Sequence, residues 1–231
     1  MSSDPTERLT PFTPQVTSAF IAEQVRELIA DGSFPQGSPI SEAGLASALG
    51  ISRGPVREAL QRLVQEGLLK NERNRKLLVP QLTGDDIRDI YRTREAIEVA
   101  AMEAVMERED SAFLEEGRKL LQRMAAYYEE GDRKMMSSVD LEFHLLLIDE
   151  SGSRRLQRAF ATLVVETRMC MNELEQIFSS QDDSVEIHQK MLDAVVAKDM
   201  DAARAAVRAH NQTVLRDFQL MEESSANETV V

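Results

Sequence analysis

Apolar residues recur every three or four positions in two separate stretches of this 231-residue chain, and that spacing predicts helices in both. In the first stretch, Ile21, Val25, Leu28 and Ile29 make one face of a helix that stops at Asp31-Gly32. Phe34-Pro35-Gln36-Gly37-Ser38-Pro39 then reads as a turn-rich link. A short second helix has Ser41 as its cap, carries Leu45, Ala46, Ala48 and Leu49, and ends at Gly50. Gly50-Ile51-Ser52 is a tight turn into a third helix, capped by Ser52 with Pro55 in its first turn, where a missing N–H costs little. Val56, Ala59, Leu60 and Leu63 line the apolar face of that helix, while Arg53, Arg57 and Gln61 form an exposed stripe. Gly67 ends it, and Leu68-Leu69-Lys70 and Lys76-Leu77-Leu78-Val79 read as two strands around a polar tip, Asn71 to Arg75.

Two helices joined by a tight turn predict a helix-turn-helix, and the first helix and the hairpin complete a winged helix. An arginine fork on the exposed stripe suits phosphate or a guanine edge in the major groove. The run from Gly37-Ser38-Pro39-Ile40-Ser41-Glu42 through Leu45-Ala46, Leu49-Gly50-Ile51-Ser52-Arg53, Pro55-Val56-Arg57-Glu58-Ala59-Leu60 and Glu66-Gly67-Leu68 resembles the DNA-binding domain of GntR-family bacterial transcriptional regulators. That resemblance implies a DNA-binding set of Ser52, Arg53, Gly54, Pro55, Arg57 and Gln61, with Arg75 and Lys76 on a wing that enters the minor groove. The family carries a glycine near the wing tip where this chain has Asn74-Arg75-Lys76, so the wing departs from the pattern.

Beyond Pro80-Gln81-Leu82-Thr83-Gly84 the strand signal ends and helical spacing takes over. Breaks at Glu109-Asp110, Gly131-Asp132, Ser151-Gly152-Ser153, Ser179 to Asp183 and Lys198-Asp199 divide the rest into six helices, at 83–109, 111–130, 132–150, 153–178, 182–198 and 200–222. The expected fold class is therefore mainly α: a winged helix-turn-helix with a small β-hairpin, then an all-α six-helix bundle. The expected organisation is a flexible arm (1–13), a DNA-binding domain (14–80), a helical effector-binding and dimerisation domain (81–222) and a disordered tail (223–231). The helical half resembles the FCD effector domain of the FadR subfamily, with Ile90-Tyr91-Arg92-Thr93-Arg94-Glu95-Ala96-Ile97-Glu98 matching its entrance helix.

Charge sharpens this division. The net charge of −13 falls wholly after residue 80, whereas Arg53–Lys76 holds 7 basic against 3 acidic residues. Local placement decides, because salt screens charges beyond roughly 8 Å. No run of about eighteen apolar residues predicts a membrane span. Met1-Ser2-Ser3-Asp4-Pro5 lacks the basic flank and apolar core of a secretion signal. A single cysteine, Cys170, inside an apolar pattern reads as a buried structural thiol and suits the reducing cytoplasm.

The candidate chemistry lies in the helical half. Asp140 and His144, four apart, point to one side of a helix, and the other two histidines, His188 and His210, lie on later helices amid apolar residues. Three imidazoles and a carboxylate suit Zn²⁺, Ni²⁺, Fe²⁺ or Mn²⁺ with positions left for a ligand. Scattered core histidines fit the spacing equally well. Resemblance to FCD domains, many of which use an Asp-x-x-x-His pair and two later histidines, implies that Asp140, His144, His188 and His210 are metal ligands, with zinc or nickel foremost. It also implies a small organic-acid effector, with Arg94 aligned to an arginine that in relatives can face the pocket; Arg168 is a second candidate, and each is equally suited to a salt bridge. Met124, Met135, Met136, Met169 and Met171 read as core filler.

The resulting expectation is a cytoplasmic, ligand-responsive transcription factor, a repressor by the commoner habit of its relatives. A homodimer on a palindromic double-stranded operator follows from one recognition helix reading a short half-site. Two other readings stay open: a metal-dependent hydrolase or lyase with an appended DNA-binding module, and a regulator whose helical half only dimerises. The enzyme reading lacks a base, since every histidine is spent as a ligand and Glu142, two residues from Asp140, faces elsewhere.

Overall fold

The computed structural model describes residues 17–72, 76–108, 111–174 and 184–228. The expected N-terminal arm at 1–13 lies outside these residues, as does Arg75 at the wing tip. Helix α1 (Ser18–Ala30) starts at Thr17, whose hydroxyl accepts the Phe20 N–H, and buries Ile21, Ala22, Val25, Ile29 and Ala30. Strand β1 (Pro39–Ile40) leads into α2 (Glu42–Leu49), where Ser41 Oγ accepts the Gly44 N–H at 3.1 Å. Gly50 ends α2 with φ +65°, a left-handed turn that glycine adopts without strain. Helix α3 (Arg53–Gln65) packs Val56, Ala59, Leu60 and Leu63 onto α1.

Strands β2 (Lys70–Glu72) and β3 (Lys76–Leu78) form the hairpin, and β1 adds a third antiparallel strand in the order β1-β3-β2. The stretch expected as a link is therefore partly sheet. Ile40 stands opposite Leu77, and the Gly37–Val79 and Val79–Ser38 backbone hydrogen bonds extend that pairing. Leu68 and Leu69, expected in the strand, instead precede it as buried core residues. Ser52 occupies the N-cap position of α3, but its hydroxyl makes no capping bond, so that cap is backbone geometry alone.

Six helices follow among the described residues: α4 (Gly84–Glu107), α5 (Phe113–Glu130), α6 (Arg133–Glu150), α7 (Arg154–Leu174), α8 (Ser184–Ala197) and α9 (Met200–Glu228). Thr83 and Asp86 close a reciprocal capping box at the start of α4. Helix α9 runs six residues past the expected boundary at 222, into what reads as a disordered tail. Its last turns, Glu-Glu-Ser-Ser-Ala-Asn-Glu, contain no glycine or proline to stop it. Helices α5 and α8 approach closely at Gly117, where an added Cβ would lie 2.8 Å from Leu192. Cys170 is buried. Among the described residues no helix is long and apolar enough to cross a membrane.

Helix α7 belongs to two cores. Its Leu163 and Cys170 pack in the bundle, while Val165 and Met169 complete the core of α1, α3 and the sheet. Polar contacts follow the same seam. Asn172 Nδ2 donates to Ala30 O at 2.7 Å, and Arg168 Nη1 meets Glu27 at 2.7 Å. Gln36 donates to Met169 O at 3.4 Å and accepts from Leu82 N at 2.7 Å. Between α1, α6 and α7 a cleft of about 480 Å³ opens beside Arg168 and Lys134.

Glu166 lies along this seam, in a cavity shared with Gly67, Asp86 and Asp89. Burial, and then the charges of Asp86 and Asp89, push its carboxyl above the ordinary range. A raised folded-state value means stability that is full below the unfolded carboxylate value, near 4.3, and lost as pH rises through the folded one. Glu166→Gln is therefore expected to raise the melting temperature at pH 7 and to lose that advantage near pH 4. Equal shifts at both pH values would remove charge as the cause.

Candidate functional site

Three helices deliver four donors to one point in the bundle. Helix α6 supplies Asp140 and His144 one turn apart, α8 supplies His188 and α9 supplies His210. Their donor atoms all lie within 4.8 Å of one another. His144 Nε2 is 3.1 Å from His210 Nε2 and 3.4 Å from His188 Nε2. Asp140 Oδ1 stands 3.3 Å from His188 Nε2, and Oδ2 stands 3.8 Å from His144 Nε2 and 3.9 Å from His210 Nε2. Bonds of about 2.0–2.1 Å to one ion place ligand nitrogens about 2.9 Å apart at right angles and about 3.3–3.4 Å apart at the tetrahedral angle. The two imidazole separations match that span.

The surroundings orient these rings. His188 Nδ1 lies 2.7 Å from Ser184 O, a bond that puts its proton on Nδ1 and leaves the Nε2 lone pair for the centre. The Phe143 ring meets His188 edge-on with centroids 4.7 Å apart. Burial lowers the values of His188 and His210, the latter strongly, and holds both rings neutral, the form that binds metal. Asp140 supplies the anionic donor.

Behind His144 lies a buried ion pair. Glu98 Oε2 is 3.2 Å from His144 Nδ1, an electrostatic approach without hydrogen-bond alignment. Glu98 Oε1 accepts from Arg94 Nε at 2.9 Å. Burial opposes the charged form of Glu98, but the His144 ring and Arg94 outweigh it and hold the carboxyl at about 2. Arg94 lies over Tyr91 and Phe160, with its central carbon 5.1 Å and 5.8 Å from the ring centroids. Its Nη1 reaches Thr167 on α7 at 3.5 Å, while Nη2 is buried without a hydrogen-bond partner.

Of the two arginines expected at a ligand, only Arg94 is tied to the donor cluster. Arg168 turns to Glu27 of α1, because one residue along α7 from Thr167 is a rotation of about 100°. Sequence reading passed over Glu98 and Thr167. The i, i+4 spacing of Arg94 and Glu98 on the same face as Ile87, Ile90, Tyr91, Ala101 and Val105 was the available sign of a buried pair. Met124, Met136 and Met169 are buried, while Met135 and Met171 are half-buried, with Met171 lining the cleft by Arg168.

At the other end of the molecule, Ser52, Arg53, Gly54, Arg57 and Gln61 are exposed on α3, Pro55 is half-buried, and Lys76 is exposed at the start of β3. Glu42, at the first position of α2, accepts from Arg57 Nε at 3.0 Å and Nη2 at 2.8 Å.

Residues 17–79 match the pattern of the bacterial regulatory proteins of the gntR family, and residues 89–213 match the FCD domain. The chain belongs to the FCD-containing GntR family. GntR proteins are DNA-binding transcriptional regulators rather than enzymes, and relatives agree. The chain is 28% identical to the HTH-type transcriptional regulator YdhC of Bacillus subtilis strain 168, over 88% of this chain and 92% of YdhC. It is 31% identical to the "Probable D-xylose utilization operon transcriptional repressor" of Paenarthrobacter nicotinovorans, over 85% of this chain and 88% of that one. The E. coli McbR/YncC structure shares the GntR fold at a TM-score of 0.74 and 23% identity, covering 90% of this chain and all of that one.

Breaking a buried ion pair from one side strands a charge, at about 3–5 kcal/mol. Arg94→Leu is expected to lower unfolding free energy by about that much in urea, and Arg94→Leu/Glu98→Leu to recover most of the loss. A single variant no less stable than the double one would show that the two charges do not compensate each other.

Proposed function

We propose that this GntR regulator is a repressor whose FCD domain holds one divalent metal ion through Asp140, His144, His188 and His210. The observation that carries the reading is the convergence of three imidazole nitrogens and one carboxylate inside the bundle. Zinc or nickel suits that donor set best, with iron or manganese next. The ion would supply positive charge and open coordination positions, to which a small organic acid would bring its carboxylate. Arg94, cationic with one buried N–H₂ group free of hydrogen bonds, suits a second contact to such an acid. Arg168 braces the domain junction instead.

DNA binding assigns the exposed face of α3 to the major groove, with Ser52, Arg53, Gly54, Pro55, Arg57 and Gln61 toward the operator and Lys76, with Arg75, on the wing. A homodimer on a palindromic operator would place two such faces in successive grooves, in the cytoplasm where the DNA lies. Helix α7 supplies a physical route for control. Thr167 touches Arg94 behind the donor cluster, and Met169, two residues on, sits in the core of the winged domain. A ligand that moves Arg94 would shift the winged helix and with it the spacing of the two reading faces.

Two measurements test the reading. After loading with excess Zn²⁺ or Ni²⁺ and dialysis, the native chain is expected to retain about one ion and His144→Ala/His188→Ala to lose it, with Glu98→Ala weakening affinity about 10–100-fold. Equal metal content in native and double variant would return the histidines to a packing role. Arg57→Ala is expected to weaken operator binding by about 1–3 kcal/mol, and unchanged affinity would remove Arg57 from the reading face.

A further inference from the structure

The contact between Glu42 and Arg57 spans the helix-turn-helix, joining the first residue of α2 to the middle of α3. It takes a particular edge of the guanidinium. Glu42 Oε2 accepts from Nε at 3.0 Å and Oε1 from Nη2 at 2.8 Å, so the carboxylate occupies the side edge. Guanidinium donors are fixed in a plane, and the remaining end edge presents one N–H from Nη1 and the other from Nη2. That pair is the fork that meets O6 and N7 of guanine. The Arg57 side chain is 60% exposed and that of Glu42 27%, so the arginine projects outward while its brace sits closer to the protein.

We propose that Glu42 is a positioning residue for operator recognition: it grips the side edge of Arg57 and aims the end edge at a guanine. The inference rests on the reading that Arg57 meets a base. A carboxylate so near DNA repels phosphate, so Glu42 lowers the general attraction to any duplex. What it contributes is direction. An exposed, flexible arginine can settle on a phosphate or on a base, and a braced one is ordered for the base before it arrives. A brace that served only to hold α2 against α3 would add stability without changing which base pair is preferred. The two roles therefore separate by experiment.

The probe is the duplex that the native full-length protein selects from a random-sequence pool, beside a scrambled duplex of the same length. Each base pair of the selected site is changed in turn, and affinities are measured for native protein, Arg57→Ala, Glu42→Gln and the double variant Glu42→Gln/Arg57→Ala. Arg57→Ala is expected to flatten discrimination at one base pair of each half-site. Glu42→Gln is expected to lose about 5–100-fold of discrimination at that same base pair while binding the scrambled duplex more tightly. The double variant is expected to match Arg57→Ala alone at that position. Glu42→Ala, which removes the acceptor altogether, should repeat the result by a second route. Discrimination retained in both Glu42 variants, with or without a lower melting temperature, would overturn the positioning role and leave a structural brace. If Arg57→Ala flattens no base pair, Arg57 serves phosphate, and the base-reading assignment falls together with the role of Glu42.

Discussion

Three imidazole Nε2 atoms meet in this molecule, in a place water barely reaches. His188 has its Nδ1 proton directed to the Ser184 carbonyl, and His144 turns Nδ1 toward Glu98, so the Nε2 atoms face inward with Asp140 beside them. One proton can bridge one such pair of nitrogens. A divalent cation would serve all three at once and draw in the carboxylate. Helices α6, α8 and α9 supply the donors and α4 the charge behind them, so the relative placement of four helices depends on what satisfies this point. The apolar packing around it, with Phe143 edge-on to His188, fixes the rings but offers their lone pairs nothing.

The charge on Glu98 connects that centre with the rest of the bundle. A carboxylate at 0% exposure needs compensation, and it lies between His144 on one side and Arg94 on the other. Arg94 in turn is enclosed by Tyr91, Phe160 and Thr167. This is an arrangement with little slack: moving any member leaves a buried charge without its partner. Thr167 hands the arrangement to α7, a helix held from both sides. Packed interiors transmit displacement because they cannot be compressed locally.

Much of the fold was legible because its signals are local. Ser41, Gly50 and Gly67 mark helix ends in the residues themselves, and Gly131, Gly152 and Lys198, each with positive φ, do the same between later helices. Strand β1 escaped notice because two residues carry no periodicity; the chain opposite, at Leu77 and Leu78, defines it. The same limit applied to the site. Asp140 and His144 declare a shared helix face by their spacing, whereas His188 and His210 join them only through tertiary packing, for which resemblance supplied the clue. Glu98 and Glu42 look like ordinary helix carboxylates until the folded chain sets His144 and Arg57 beside them. Arg168, one residue along α7 from Thr167, pairs with Glu27 of α1 and lines the cleft between α1, α6 and α7.

Two stretches of sequence pattern, ending at Val79 and beginning at Asp89, invite a cut between them. The hydrophobic cores do not follow that cut. Val165 and Met169, far along the chain, fill the interior built by Ile21, Val25, Leu60 and Leu63. Pro80 thus ends a segment of chain without ending a unit of packing. In any exchange of parts between regulators of this kind, a new winged helix must match the stripe of α7 it inherits, and the unit that travels intact is larger than either pattern alone would suggest.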